Sequence, residues 1–458
     1  MDIKDTQLKL TFANGAGTVT GANFLLEGNG KKFLIDCGLV QGESIADELN
    51  WAPFTYNPAE IDILFITHAH VDHIGRIPKF IADGFKGRII STIPTKDIAQ
   101  LMLEDTAHLL QKDTVHHLAE IYTAENIKAA MDIWEGVEYH EAINVDHGFQ
   151  FSFKDSGHIL GSGMIEIIYN GKKIVFTGDL GNSPSPILCD TEVVDDADYL
   201  IMESVYGDRN HEDREIRKKR LAEIINENYV RGGTLMIPVF SLERTQELLF
   251  EMNEMVENKI VPVMPVFLDS PLAIKLDRVY KQNEKYFNET AKKIIASGDD
   301  IFNFKGLKLT LETDESKAIL NVPSPKIIMA GSGMSNGGRI IHHEKNYLPN
   351  ENDTLLLIGY QAVGTLGRQI EEGNKKLHIQ GEEIPVRAHI EKISGYSGHK
   401  DSDHLVEFVE PMAKSLKKVF TVMGEPKAAL FLAQKLTDNL GVKTESPMAG
   451  DVIMLDCR

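Results

Sequence analysis

The stretch THAHVDHIG, residues 67 to 75, gathers His68, His70, Asp72 and His73. Neutral imidazole nitrogens and carboxylate oxygens are the donors that zinc and similar borderline divalent ions take. The apolar run IDILFIT leads straight into the cluster and reads as a short buried strand. Alternate residues at an extended strand end point the same way, so His68 and His70 can share one ion. Asp72 and His73 sit where the chain turns into IGRIPKFI and can address a second ion. A solvated polar loop is the bland alternative, and the spacing behind a hydrophobic strand argues against it. Two later segments fit the same centre: DSGHILGSG carries His158 in a glycine-rich turn, and FTGDLG carries Asp179 at a strand end. Each alone is more often a turn than a ligand. With the cluster they form a set in which the two oxygens of Asp179 could bridge two ions.

Strands and helices must position these groups. NFLLEGNGKKFLIDCG is two apolar runs around Gly28-Asn29-Gly30, and MIEIIYNGKKIVFTGDLG turns at Asn170-Gly171; both predict hairpins. Amphipathic helices are expected over roughly 94–113 and 123–134, and ADYLIMES reads as another strand. From about residue 208 the rhythm becomes strand then helix, which implies a parallel sheet with helices on its faces. GGTLMIPVF precedes SLERTQELLFEMNEMV, PVFLDS precedes PLAIKLDRVY, and KIIMAGSG precedes GGRIIHHEKNYL, with DTLLLIGY following. After about 390 a short-strand pattern is expected to return. The fold class is α/β, with an N-terminal layered domain, an inserted parallel domain and a C-terminal return to the first.

The chain has 458 residues, 42% hydrophobic and 25% charged. At roughly 100–200 residues per domain, that predicts two or three domains with substantial cores. No apolar run is long enough to span a bilayer, and MDIKDTQLKLTF has no signal-peptide core. Cys37, Cys189 and Cys457 are far apart and odd in number, which suggests reduced thiols in a cytoplasmic protein. A net charge of −20 argues against a surface that coats nucleic acid generally, but allows a local cationic cleft.

ESVYGDR (203–209), IPVFSLERTQELL (237–249), FLDSPLAIK (267–275), GSGMSNGGRIIHHEKNYLP (331–349), IGYQAVGTLGR (358–368) and ISGYSGHKD (393–401) resemble, together with the histidine cluster, the β-CASP family of RNA-processing nucleases on the metallo-β-lactamase fold. The likeness is strongest to the endonuclease subunit of the cleavage and polyadenylation specificity factor and its prokaryotic relatives, and it runs along nearly the whole chain. It implies an αββα sandwich formed by 1–207 and 391–458, with a β-CASP domain at 208–390 that caps the metal centre, and an active site in the cleft between the domains. It further implies one zinc on His68, His70 and His158, a second on Asp72 and His73, Asp179 bridging, and Glu203 and His399 as the family's acidic and histidine motifs. One position departs. The last metal-binding histidine of the family falls on Met423, in TVMGEP, and a thioether suits copper(I) better than zinc. The second site is therefore expected to be weakened, with water or a neighbour such as His404 as substitutes. Zinc is the expected ion, and manganese is an alternative.

Two metals can share a hydroxide, lower its pKa and stabilise charge on a phosphoryl group. Asp72, Glu203 and His399 are the catalytic candidates, with His399 as general acid and Glu203 holding it cationic. The resemblance implies endonucleolytic cleavage of single-stranded RNA leaving a 5′ phosphate, and some relatives also degrade from the 5′ end. Ser332, Gly333 and Ser335 in the glycine-rich turn, with Ser397, Arg244 and Arg368, are candidate phosphate contacts; either arginine could equally be a structural ion-pair partner. His108 and His116-His117 lie in helical pattern and read as a solvated face, His342-His343 as packing beneath the loop, and EDREIRKKR (212–220) as an exposed helix face. Two other functions compete: a catalytically weak RNA-binding or scaffold subunit, motivated by Met423, and another hydrolase of this fold, such as a thioesterase or lactonase, which would not need the long insertion. A homodimer is compatible with the resemblance to prokaryotic relatives.

Overall fold

In a computed structural model, residues 6–41, 46–110, 118–211, 214–359, 361 and 364–458 are described. The chain divides into two compact units, Met1–Asn210 with His399–Arg458, and His211–Gly398. His116-His117 and the expected helix end at 113 lie outside the described residues.

The first unit is two sheets packed face to face. In spatial order the first sheet runs Val452–Asp456, Gln7–Asn14, Asn23–Gly28, Lys31–Ile35, Ile63–Phe65, Arg88–Thr92 and Trp134–Val137. The second runs Thr444–Glu445, Lys418–Val422, Tyr199–Glu203, Lys172–Phe176, Gly163–Tyr169, Phe149–Asp155 and Ile143–Val145. Alternating phenylalanines drive the contact. Phe65 stacks on Phe151 with centroids 4.3 Å apart, Phe33 meets Phe149 and Phe151 edge-on at 4.9 and 4.8 Å, and Phe12 meets Phe420 at 5.6 Å. Helix Ile93–Leu110 covers strands of the first sheet. Helices Ser402–Val409 and Pro426–Leu440 cover the second, packing Leu405, Val409, Leu432 and Leu436 against Val175, Leu200 and Met202. The order of layers is helix, sheet, sheet, helix. Both hairpins form: Asn29 and Gly30, and likewise Asn170 and Gly171, take the paired positive φ of a tight two-residue turn.

The second unit holds a six-stranded sheet, every neighbouring pair parallel, in the order Leu307–Leu309, Val266–Asp269, Lys326–Ala330, Thr234–Pro238, Thr354–Ile358 and His389–Ile393. Its fully buried strands Thr234–Pro238, Lys326–Ala330 and Thr354–Ile358 are continuous apolar runs, as parallel strands covered on both faces require. A boundary at 390 would cut His389–Ile393, which pairs with Thr354–Ile358 in this sheet, and the unit continues to Gly398. The short strands expected after 390 form, at Lys418–Val422, Thr444–Glu445 and Val452–Asp456, but they are interleaved with helices outside that expectation. Helices Ser402–Val409 and Pro426–Leu440 occupy much of that segment, because Ala428, Ala429, Leu432 and Leu436 recur on one helical face.

The chain after Lys31–Ile35 is stitched to the histidine cluster. Cys37 donates its N–H to the His73 carbonyl at 2.7 Å, Leu39 to Val71 at 3.0 Å, and Ala22 to Asp72 at 2.9 Å. A Cβ on Gly38 would lie 1.5 Å from the Asp72 carbonyl oxygen. Gly38→Ala is therefore expected to displace the 70–73 turn, destabilise the first unit by about 1–3 kcal/mol and reduce the metal retained per chain, read by elemental analysis alongside a melting curve. Wild-type metal content in a folded variant would show that the turn tolerates the displacement.

Candidate metal centre

Six strand ends bring the side chains of the site together in the first unit, five of them ionisable and the sixth Met423. Lys31–Ile35 leads to Asp36, Ile63–Phe65 to His68, Phe149–Asp155 to His158, Lys172–Phe176 to Asp179, Tyr199–Glu203 ends in Glu203, and Lys418–Val422 leads to Met423. These strands run in one direction within each sheet.

His68 Nε2 lies 3.1 Å from His70 Nδ1, which lies 3.2 Å from His158 Nε2. Asp179 Oδ2 is 3.4 Å from His68 Nε2 and 3.5 Å from His158 Nε2. A tetrahedral zinc with bonds of ~2.0–2.1 Å spaces its donors by about 3.3–3.4 Å, so these four atoms fit one such ion. Burial lowers the pKa of His68, and pushes His70 and His158 well below the usual imidazole value. That keeps them neutral, the form that coordinates a metal.

His73, at 0% exposure, faces the other side of Asp179. Its Nε2 and Asp179 Oδ1, 3.4 Å apart, are buried atoms without a hydrogen-bond partner among the described residues, and Asp72 Oδ2 is 3.9 Å from that nitrogen. Orphaned buried donors and acceptors are costly unless something between them is shared, so this gap also suits a cation. Met423 does not add a hard donor. It is 2% exposed, belongs to the apolar core with Phe24, Phe176 and Val422, and lines a cavity of about 10 Å³ with His73, Asp36, Thr67 and Glu203. That is room for roughly one water. His404 is turned away, 47% exposed and bonded through Nδ1 to Asp401 at 2.7 Å.

Asp36 holds the cluster from behind, and sequence reasoning missed it. Its carboxylate accepts from the Thr67 N–H and hydroxyl, both at 2.8 Å, and from His73 Nδ1 at 2.7 Å. A carboxylate after an apolar strand, in LIDCG, was the available signal. Burial works against charge on His73, but Asp179 and Asp36 outweigh it and raise its pKa well above the usual value.

His399 closes the site through an antiparallel bridge with Gly181, while Lys400 donates its N–H to the Leu180 carbonyl at 2.9 Å. His399 Nδ1 is 3.1 Å from Glu203 Oε2 and 3.9 Å from Asp179 Oδ2, and its ring lies 4.7 Å from that of His158. Glu203, fully buried, also accepts from the Leu180 N–H at 2.6 Å. Burial opposes the charged imidazole, but Glu203 and then Asp179 carry His399 up to about 9.

The phosphate candidates of the second unit divide. Ser332 Oγ accepts the Asn336 N–H at 3.1 Å, and a Cβ on Gly333 would meet the Phe240 ring at 2.6 Å, so the loop is closely packed. The phosphate expectation for the Ser335 hydroxyl is corrected: Ser335 is 1% exposed and donates to the buried Glu344 at 2.5 Å. Arg244 takes its ion-pair alternative, at 2.5 Å from Glu247, with a second bond to the Tyr396 carbonyl at 3.1 Å. Arg368 is half-buried on helix Leu366–Glu371 and bonds Glu372 at 2.8 Å, and Ser397 is buried. His108 is exposed on its helix, and His343 is buried against Asp269 at 2.7 Å. Within EDREIRKKR, Arg217 is not on an exposed face but buried and paired with Glu251 at 3.2 Å.

Residues 16–219 match the metallo-beta-lactamase superfamily, residues 245–370 the Beta-Casp domain, and residues 383–447 the Zn-dependent metallo-hydrolase RNA specificity domain. Ribonuclease TTHA0252 of Thermus thermophilus is 33% identical over 92% of this chain and 94% of its own length. An RNase J-like protein of Methanocaldococcus jannaschii is 32% identical over 92% of this chain and 94% of its own. The transcription termination factor FttA of Methanosarcina mazei is 29% identical over 97% of this chain and 71% of its own. A crystal structure of a protein of unknown function from Enterococcus faecalis V583 shares the fold, with a TM-score of 0.59 at 14% identity, covering 98% of this chain and all of that one. With an unbroken likeness of this extent and the donor set above, the chain belongs to the β-CASP family of metallo-β-lactamase-fold ribonucleases.

Proposed function

We propose that this protein hydrolyses phosphodiesters of single-stranded RNA with zinc as its ion, cutting internally and leaving a 5′ phosphate, with 5′-end degradation as a second mode. The observation that carries it is the four-donor set of His68, His70, His158 and Asp179 beside the buried Glu203 and the partly exposed His399. A bound divalent ion supplies a Lewis acid for the phosphoryl oxygens and lowers the pKa of the attacking water. Asp72, His73 and Asp179 would hold a second ion, with Met423 leaving it one donor short. Glu203 fixes the His399 ring through Nδ1, which assigns Nε2 to protonate the leaving ribose oxygen. Ser332, Gly333, Arg368 and Ser397 are proposed to face RNA phosphates. The buried thiols of Cys37 and Cys457, outside any disulfide among the described residues, support a cytoplasmic setting, and no helix among the described residues is long and apolar enough to cross a membrane.

An end-labelled single-stranded RNA, incubated with purified protein and zinc or manganese, is expected to yield fragments that vanish with chelator and in Asp179→Ala, which also loses metal. Intact RNA with every ion, from folded protein, would favour an RNA-binding or scaffold role. His399→Ala is expected to lower the cleavage rate by about 10²–10⁴-fold at unchanged metal content, and wild-type cutting by this variant would remove the general-acid role. Met423→His is expected to raise the metal bound per chain and tighten the weaker site in a metal titration. Unchanged affinity would mean that another group already completes that site.

A further inference from the structure

One buried turn, Ser156 to Gly163, carries His158, and its centre is a side chain rather than backbone. The Ser162 hydroxyl oxygen accepts the N–H of His158 at 3.0 Å and that of Ile159 at 3.2 Å, and the Ser156 hydroxyl donates to it at 2.9 Å. Ser162 donates its own N–H to the Ile159 carbonyl at 2.9 Å, and Ser156 donates its N–H to the Ser162 carbonyl at 3.2 Å. Side chain and backbone thus close the same loop. Ser156 is 1% exposed and Ser162 0%.

The turn also reaches the segments that bear two other donors of the first ion site. Gly163 donates its N–H to the carbonyl of Thr67, the residue before His68, at 2.7 Å. Gly181, two residues after Asp179, donates its N–H to the Ser156 carbonyl at 2.8 Å, and the Thr191 hydroxyl donates to the same carbonyl at 2.8 Å. On the far side the hydroxyls of Thr92 and Thr95 both donate to the Gly161 carbonyl, at 2.5 and 2.8 Å. A Cβ on Gly161, at φ +82°, would lie 2.7 Å from the Thr95 nitrogen. The start of helix Ile93–Leu110 therefore presses directly on the turn.

The donor spacing leaves little slack. His158 Nε2 stands 3.2 Å from His70 Nδ1 and 3.5 Å from Asp179 Oδ2, and metal bonds keep within about 0.2 Å of their preferred lengths. A buried N–H that loses its acceptor costs the full desolvation of that group. Without the Ser162 oxygen, the N–H groups of His158 and Ile159 must both find another acceptor, and the segment that turns to do so carries the His158 ring with it. Groups that hold a ligand without touching the ion tune metal affinity by this route.

We propose, resting on the zinc-dependent function above, that Ser162 is a positioning residue for the first ion: its hydroxyl oxygen, with the Ser156 hydroxyl behind it, sets the distance at which His158 meets His70 and Asp179.

The test reads bound metal in the full chain. Zinc affinity is measured on the zinc-loaded protein by competition against chelators of graded strength, for the wild type, Ser162→Ala, Ser156→Ala and Ser91→Ala, with melting curves recorded alongside. Ser91 is the control, a fully buried hydroxyl of the same unit that accepts the Trp134 indole N–H at 2.9 Å. Ser162→Ala is expected to weaken zinc at the tighter site by about 10–100-fold, and Ser156→Ala to give a smaller loss of the same kind. Ser91→Ala is expected to lower the melting temperature and to hold zinc as the wild type does. Wild-type zinc affinity in folded Ser162→Ala would overturn the assignment. So would an equal loss in Ser91→Ala, which would mean that any buried hydroxyl of this unit matters as much. Should Ser162→Ala fail to fold, Ser156→Ala decides in its place, a loss upholding the assignment and wild-type affinity overturning it. A wild-type chain that binds zinc but cuts no RNA would sink the ribonuclease function alone and leave the zinc arm to decide on Ser162, and a wild-type chain that binds no zinc would sink both.

Discussion

Four carboxylates and five imidazoles share one buried region of this protein, and they can coexist there only if charge is sorted among them. An isolated buried charge costs several kcal/mol. The histidines accordingly fall into two kinds. Burial lowers the pKa values of His68, His70 and His158, while the carboxylates that His73 and His399 touch raise theirs. The first kind offers lone pairs, and the second offers protons or makes way for a metal. Both kinds are set by which neighbour each ring faces, so the chemistry depends on loop positions being held to a fraction of an ångström.

The fold meets that demand by placing the contributors other than His399 at or after the carboxyl ends of strands and locking those ends together through backbone. Gly38 and Gly181 are where two chains pass too closely for any side chain. A Cβ on Gly181 would sit 1.9 Å from the Gly157 carbonyl oxygen, beside His158. Asp36 then ties the neighbouring strand to both Thr67 and His73. Met423 belongs to the same lattice of loop ends: its N–H donates to the Gly15 carbonyl at 2.7 Å and its carbonyl accepts from the Ser204 N–H. The backbone at this position is placed as tightly as at the candidate ligand positions, with a thioether where they carry imidazole or carboxylate.

Much of this arrangement could be read from the chain before any coordinates. The closely spaced histidines after IDILFIT, and the glycine-flanked His158 and Asp179, carry their meaning locally, because a strand end fixes where the next side chains point. The hairpin turns were legible for the same reason, through Asn-Gly pairs that need positive φ. Asp36 was not legible. Its three bonds reach 31 and 37 positions along the chain, and in isolation LIDCG is an ordinary strand end. Ser335 misled because a glycine-rich turn resembles a phosphate cradle whichever way its hydroxyls face, and the direction is set by Glu344 on the following helix. The helices after 400 were obscured by a segment whose strands are as short as Thr444–Glu445.

The first sheet pairs Leu8 with Leu455, and the second sheet pairs Tyr199 with Lys418. An edge of one layer and an inner strand of the other are thus supplied by the last part of the chain. During synthesis from the N-terminus, residues 1 to 210 emerge with both layers unfinished and a row of backbone groups unmatched, while 211 to 398 is contiguous and can complete its own sheet. The inserted unit is positioned to fold first and the unit bearing the candidate metal centre last. Without Lys418–Val422 and Val452–Asp456 the first sheet would lose its strand beside Gln7–Asn14 and the second its strand beside Tyr199–Glu203, so the candidate metal centre depends on strands far along the chain from its histidine cluster.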